Sequence, residues 1–221
     1  MKSALVGIVT RLAPGKIVGV GRNYARHAAE LGNLVPDEPI LFLKPPSSLV
    51  GDGEAIVLPS ESERVEHEAE IAIVVGSRLA RATEAEALRA IAGVTCANDV
   101  TARDLQRRDG QWTRAKGFDT FCPAGPRVAQ VEPRELGRLV VRCRVNGEIR
   151  QEGTSADMVF PIPELLARIS RVMTLEPGDL VLTGTPEGVG PLAPGDLVEV
   201  EIEGVGVLRN PVAARPAARR R

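Results

Sequence analysis

The feature that most constrains this chain is a pair of glutamates at alternate positions leading into an apolar run, Val65-Glu66-His67-Glu68-Ala69-Glu70-Ile71-Ala72-Ile73-Val74-Val75. Ile71 to Val75 is short and rich in β-branched residues, which predicts a buried strand. Side chains alternate along a strand, so Ile71, Ile73 and Val75 share one face. Glu68 and Glu70 share the other, ~7 Å apart. Two carboxylates so close repel each other and resist leaving water. A bound cation converts the repulsion into coordination. An exposed strand end with Lys or Arg partners would satisfy the same pair, and on this pair alone both readings stand.

A third carboxylate shifts the balance. Val94-Thr95-Cys96-Ala97-Asn98-Asp99-Val100 is a second short β-prone run with Asp99 near its end. Two Glu from one strand and an Asp from the next make three hard oxygen donors. Such a set suits Mg²⁺, Mn²⁺ or Ca²⁺ and leaves positions for water and substrate. With only 2 His and 3 widely spaced cysteines, a structural zinc site is not expected. Cys96, Cys122 and Cys143 read as reduced, buried thiols. No signal-peptide pattern and no long apolar run is present, so a cytoplasmic protein is expected, without a membrane span. The net charge of −1 provides no field that would recruit nucleic acid or an anionic membrane surface. Abundant Gly and Pro with few aromatics predict many short strands and tight turns, a mainly β fold with short helices.

Other segments carry chemistry. Ile17 to Val20 reads as a strand, followed by Gly21-Arg22-Asn23-Tyr24. A dinucleotide loop is excluded there, because the third glycine of its fingerprint would fall at Tyr24. Asn23 is a candidate N-cap for a helix from Tyr24 to Leu31, with Gly32 as its stop. His27 and Glu30 then share a face, and a carboxylate beside an imidazole fixes its tautomer and raises its basicity. That is the arrangement of a general base, and equally of a surface histidine with a chance neighbour. Ile40 to Lys44 is an apolar strand whose Lys44 either meets an anion or reaches solvent. Thr83 to Glu86 is a capping box opening a helix to about Ala92, stopped by Gly93. Arg103 and Gln106 share a face of a helical turn. Lys116 is a candidate for neutralising an enolate or a carboxylate, or simply a solvated charge. Cys122 to Pro126 reads as a rigid turn, and Asn146-Gly147 as a hairpin turn. Pro163 opens a helix with Leu165, Leu166, Ile169 and Met173 at helical spacing. A strand from Leu180 to Leu182 delivers Thr183-Gly184-Thr185-Pro186 and Gly188-Val189-Gly190, small residues that let backbone N–H groups approach an anion.

Taken together, Gly21-Arg22-Asn23-Tyr24 with His27 and Glu30, the His67-Glu68-x-Glu70 strand, Asn98-Asp99-x-Thr101-Ala102-Arg103-Asp104-x-Gln106, the Trp112-to-Phe118 stretch with Lys116, and the Thr183-to-Gly190 loop resemble the fumarylacetoacetate hydrolase superfamily. The layout is similar to its acylpyruvate hydrolase and oxaloacetate decarboxylase subgroup. The resemblance implies a mixed β-sandwich roll and a division into a short extension (1–16), one catalytic domain (17–212) and a basic tail (213–221). It implies a homodimer and a small-molecule 2-oxo acid substrate. It also implies Mg²⁺ or Mn²⁺ held by Glu68, Glu70 and Asp99, with Ca²⁺ a substitute in crystals. Lys116 would lie beside the metal, and the His27–Glu30 helix would close over substrate. Arg22, Arg103, Gln106 and Thr185 would line the pocket.

The chemistry implied is cleavage of a C3–C4 bond through the enolate of pyruvate, by hydrolysis of an acylpyruvate or decarboxylation of oxaloacetate. The isomerases and decarboxylases of homoprotocatechuate breakdown share the motifs and form the alternative. Two other classes can be weighed. A metal-dependent nuclease also uses clustered carboxylates with a Lys, but no basic stripe with interleaved aromatics is present. A non-catalytic metal binder has no use for His27, Glu30 and Lys116.

Overall fold

The computed structural model describes residues 12–215. Most of the expected extension and tail, including the arginines at 219–221, lies outside these described residues. In chain order, β1 (Ile17–Gly21) and helix α1 (Ala25–Glu30) are followed by β2 (Ile40–Lys44), β3 (Leu49–Val50) and β4 (Ile56–Leu58). Then come β5 (Val65–His67), β6 (Ala69–Val75), α2 (Glu84–Arg89), β7 (Ile91–Asn98) and β8 (Thr101–Ala102). Helices α3 (Arg103–Asp109) and α4 (Thr113–Lys116) precede β9 (Cys122–Ala129), β10 (Val140–Val145) and β11 (Glu148–Thr154). The rest is α5 (Ile162–Val172), β12 (Leu180–Leu182), β13 (Gly190–Pro191), β14 (Leu197–Ile202) and β15 (Gly206–Ala214).

The strands form a seven-stranded sheet ordered β2-β1-β12-β6-β7-β9-β3, a five-stranded sheet ordered β11-β10-β14-β15-β4, and a small β13-β5-β8 sheet. Pairing is mixed: β1 runs parallel to β12 and β15 parallel to β4, while β6 is antiparallel to both β12 and β7. The larger sheets pack face to face, with β14 and β15 against β7 and β10 against β6. This is the expected mainly β sandwich roll with short helices. Among the described residues no helix is long and apolar enough to cross a membrane.

Strand β6 is the centre of the seven-stranded sheet and is buried along its whole length. Ile71, Ile73 and Val75 face the main core between the sheets. Ala72 and Val74 lie in a second apolar cluster with Ile17, Leu180 and Leu182. Burial on both faces explains why the run is almost uniformly apolar beyond Glu70.

Several local expectations are corrected. The strand does not run through Glu68, which lies in neither β5 nor β6. Its backbone instead donates to Asn98 Oδ1 (2.9 Å) and accepts from Asp99 N (2.8 Å). Asn23 caps nothing. The helix N-cap is Tyr24, without a side-chain bond, and the Asn23 amide is spent on Phe160 and Thr183. The capping box of α2 is present, but the helix stops at Arg89, because Ile91 already pairs with Val75 and Gly93 with Val74. Cys122 to Pro126 is strand, not turn: pairing to β7 on one side and β3 on the other overrides the local Pro-Gly signal. Helix α5 starts at Ile162, and Met173 is its extended C-cap, not part of its buried stripe. The Asn146-Gly147 hairpin is as expected, with both residues at positive φ, +54° and +82°.

Candidate metal and substrate site

Glu68, at the break between β5 and β6, Glu70, at the start of β6, and Asp99, just past β7, converge. One carboxylate oxygen from each lies within 4.8 Å of the other two, and all three residues are buried. Pairing of Ala69 with Asn98 brings the strand ends together. Three buried carboxylates at this distance need positive charge. Lys116, at the end of α4, supplies part of it. Its ammonium donates to Glu68 Oε2 (2.9 Å), Asp99 Oδ2 (2.5 Å) and Thr101 Oγ1 (2.8 Å). Arg103 donates to Glu68 Oε1 (2.5 Å), Glu66 Oε2 (2.7 Å) and Gln106 Oε1 (2.6 Å). The third cation is Lys44, which is fully buried and donates to Asp99 Oδ1 (2.6 Å) and to the Val100 carbonyl (3.3 Å).

Glu70 is the exception. Among the described residues it forms no ion pair, and its only side-chain hydrogen bond is received from Gly184 N (2.6 Å). The protonation energetics reflect this asymmetry. Burial alone would raise the Glu68 carboxyl, but Lys116 and Arg103 outweigh it and hold the group well below the usual range. For Glu70, burial followed by the charges of Asp99 and Glu68 pushes the carboxyl well above the usual glutamate value. Burial opposes the charge on Lys116 too, yet Asp99 and Glu68 outweigh it and raise its pKa. The buried acids Glu66, Glu68, Glu70 and Asp99 face the buried bases Lys44, Arg103 and Lys116. Arg64 adds a fourth cation on Glu66 (2.6 Å), so among the described residues every acid of the cluster except Glu70 has a cationic partner. Hard oxygen ligands that converge, one of them without a cationic partner, form a donor set that suits a divalent cation.

The cluster forms the floor of a cleft of about 620 Å³. Arg22, Arg103, Gln106, Lys116 and Thr185 line it, as does His27. Of the ten expected site residues only Glu30 is outside the lining. It stands behind His27, with Oε2 3.1 Å from His27 Nδ1 and Oε1 accepting from Gly188 N (2.9 Å). His27 is thus a buried residue with an oriented ring, not a surface histidine. The bond to Glu30 leaves Nε2 as the ring nitrogen available to a ligand. Thr185 has its hydroxyl engaged, donating to Ala69 O (2.8 Å) and accepting from Gln151 Nε2 (2.8 Å). Gln106 spends its carbonyl on Arg103, and its amide donors have no partner among the described residues.

The far wall is aromatic. Phe42 and Trp112 meet edge to face with centroids 5.4 Å apart, and Lys116 Nζ lies 4.8 Å from the Phe42 centroid. Both rings rest on β1 where there are no side chains. A Cβ at Gly19 would come within 2.2 Å of Phe42, and one at Gly21 within 2.6 Å of Trp112.

Sequence reasoning left Lys44 open between an anion and solvent, and missed Glu66 and Gln151. Lys44 had a readable signal: a Lys closing an apolar strand enters the core only when a carboxylate receives it. Gln151 had none, since it sits in the polar-looking run Glu148 to Thr154. It accepts from Ala69 N (3.0 Å) and lies 3.0 Å from His67 Nδ1. Burial outweighs that bond and lowers the His67 pKa.

Residues 16–213 match the family model described as fumarylacetoacetate (FAA) hydrolase C-terminal. An oxaloacetate decarboxylase, mitochondrial, of Dictyostelium discoideum is 44% identical over 86% of this chain and 89% of its own length. An oxaloacetate tautomerase FAHD1, mitochondrial, of Arabidopsis thaliana is 44% identical over 90% of this chain and 92% of its own. The solved structure of a 5-carboxymethyl-2-hydroxymuconate delta-isomerase from Mycobacterium smegmatis superposes with a TM-score of 0.87 at 44% identity, covering 94% of this chain and 82% of that one. The chain belongs to the fumarylacetoacetate hydrolase superfamily of enzymes.

Proposed function

We propose that this protein is a divalent-metal-dependent enzyme that acts on 2-oxo acids through an enolate, with oxaloacetate decarboxylation or tautomerisation as its leading reaction. The observation that carries the reading is the buried carboxylate triad in which Glu70 has no cationic partner. Glu68, Glu70 and Asp99 would hold Mg²⁺ or Mn²⁺. A divalent cation there supplies Lewis-acid stabilisation where negative charge develops on a 2-oxo oxygen.

The chain's own residues divide the remaining work. Lys116, itself buried and set against the Phe42 and Trp112 rings, adds fixed positive charge beside the developing oxyanion. In oxaloacetate the C3–C4 bond breaks, its electron pair passes into the enolate, CO₂ departs, and a proton added at C3 gives pyruvate. His27, oriented by Glu30, can deliver or remove that proton. Tautomerisation uses the same proton movement without loss of CO₂. Relatives bearing both names support this reading. The alternative, isomerisation of a diene-dioate, also uses the base alone and is supported by the delta-isomerase neighbour.

A second reading rests on the His27–Glu30 pair itself. An oriented imidazole is what an acylpyruvate hydrolase needs to activate water against the distal carbonyl. A substrate panel with Mg²⁺ and Mn²⁺ separates the reactions. Metal-dependent CO₂ release from oxaloacetate is expected, and loss of enol absorbance from acetylpyruvate identifies hydrolysis. His27→Ala is expected to slow proton transfer or hydrolysis by ~10²–10⁴-fold while leaving the metal bound. No turnover of any member of the panel with either metal would refute the assignment.

A further inference from the structure

Glu68 and Glu70 sit where the ladder of β6 runs out. Strand β12 pairs with β6 from Val74 only as far as Ala72. Beyond that point the same edge of β6 is completed residue by residue. The Ile71 carbonyl accepts from both the N–H (3.2 Å) and the hydroxyl (2.8 Å) of Thr183. Ala69, the residue between the two glutamates, is held by two side chains. Its N–H donates to Gln151 Oε1 (3.0 Å), and its carbonyl accepts from Thr185 Oγ1 (2.8 Å). Gln151 Nε2 donates in turn to Thr185 Oγ1 (2.8 Å). These three bonds close a ring around Ala69, and all three residues are buried.

The partners fix which way the Gln151 amide faces. A backbone N–H can only donate, so the amide atom at Ala69 is the oxygen. The Pro186 carbonyl can only accept, so the amide atom 2.7 Å from it is the nitrogen. His67 Nδ1, 3.0 Å from the same oxygen, is then the protonated ring nitrogen. The amide thus makes all four of the hydrogen bonds open to it, two received and two given. A glutamate would turn a second acceptor toward the Pro186 carbonyl, and an asparagine is one methylene too short. A buried polar network satisfied to this degree holds one geometry. The backbones behind it meet closely as well: a Cβ at Gly153 in β11 would lie 2.6 Å from Pro186 Cβ.

We infer that Gln151 is a positioning residue for the metal site, acting through Ala69 and Thr185. On one side it fixes the chain between Glu68 and Glu70. On the other it holds the loop whose Gly184 N–H donates to Glu70 (2.6 Å). One amide on β11 therefore sets both the spacing of the two glutamates and the loop that faces them. This rests on the proposed reading of Glu68, Glu70 and Asp99 as metal ligands, and on no particular substrate.

Mn²⁺ affinity of the full-length protein, read by EPR titration, tests this without a substrate. Gln151→Met keeps the length of the side chain and none of its hydrogen bonds. Thr185→Val keeps the shape of the threonine and opens the same ring at its other end. Each is expected to weaken Mn²⁺ binding about tenfold or more, while Thr185→Ser, which keeps the hydroxyl, stays within about threefold of the parent. The double variant should bind within about threefold of the weaker single variant, because a ring already open has no second link to lose. Effects that multiply in the double variant would mean two independent contacts and would overturn the clamp. So would a lowered melting temperature in chelator with parent-like Mn²⁺ affinity, which would leave Gln151 a packing residue only. If Gln151→Met does not fold, Thr185→Val decides alone, and parent-like affinity there overturns the clamp equally. A parent that binds no Mn²⁺ refutes the metal site and the clamp with it, whereas tight binding by the parent and by every variant refutes the clamp alone.

Discussion

Glu70 shows how a single side chain can carry the logic of a site. Its folded-state pKa is raised by burial and by Asp99 and Glu68. A raised carboxyl contributes stability that is fully present below the ordinary value of 4.5 and is lost as pH rises through the folded value. Glu68 is lowered and runs the opposite way: its contribution is present above the ordinary value and lost as pH falls through the folded one. Metal-free protein is therefore expected to lose stability on going from about pH 5 to about pH 8, a loss assigned to Glu70. Glu70→Gln keeps an acceptor for Gly184 N and removes the unmatched charge. It should stabilise the metal-free fold at about pH 8 by ~1–3 kcal/mol, flatten the pH dependence, and abolish stabilisation by Mg²⁺. Thermal melts with and without chelator check all three. Lys44 makes the complementary case. It holds one Asp99 oxygen as Lys116 holds the other, so Lys44→Met should weaken metal binding ~10–100-fold, the usual effect of removing a partner that orients a ligand. Titration with Mn²⁺ followed by its EPR signal gives the number. The acids were legible in the sequence because alternation and strand ends are local properties. For Lys44 the need for an anion was legible but not which anion, because its partner is 55 residues away.

At the scale of elements, a short helix and a glycine loop work as one unit. Helix α1 spans only Ala25–Glu30, too short to be stable from its own hydrogen bonds. Its Glu30 is tied to the Gly188 backbone N–H, and Arg26 pairs with Glu187 (2.9 Å). The loop after β12 thereby positions the His27 ring. Gly188 is at φ +94°, and a Cβ there would lie 2.0 Å from the Arg150 carbonyl. Gly188→Ala must shift the loop. It is expected to lower stability by ~2 kcal/mol through clash and strain. It should also reduce kcat at least tenfold while metal affinity stays near the parent's, because no carboxylate of the triad is in the loop. Calorimetric metal titration alongside steady-state kinetics separates the two effects. Elements whose signal is local were readable: the Thr83 capping box, the Asn146-Gly147 turn and the apolar stripe of α5. Those decided by a partner strand were not. Residues Cys122 to Pro126 carry every mark of a turn and still become strand, since β7 and β3 both pair with them.

Across the whole molecule, the site joins several separate parts of the fold at one point. Glu70 opens the central strand, Asp99 follows its neighbour β7, and Glu68 lies at the junction with the small sheet. Lys116 brings in α4, and Lys44 the edge strand β2. Without a bound cation Glu70 has no ionic partner in a buried place, so the native state has a locally weak centre surrounded by a well-packed core. Anything that binds the native state alone stabilises it by mass action, about 2.7 kcal/mol at a hundredfold excess over Kd. For a chain of 221 residues this corresponds to a rise of roughly 5–11 °C in Tm. Saturating Mg²⁺ or Mn²⁺ should produce that rise, EDTA should reverse it, and Ca²⁺ should produce part of it. Hydrogen exchange should show where it acts. Protection is expected to increase at Glu68 to Ile71, Asn98 to Thr101 and the Thr183 to Thr185 loop, with little change in the distant β10–β11 hairpin tip at Asn146. A uniform increase over the whole chain, or none at those strand ends, would mean that the cation binds elsewhere and that the triad is only a charged seam in the core.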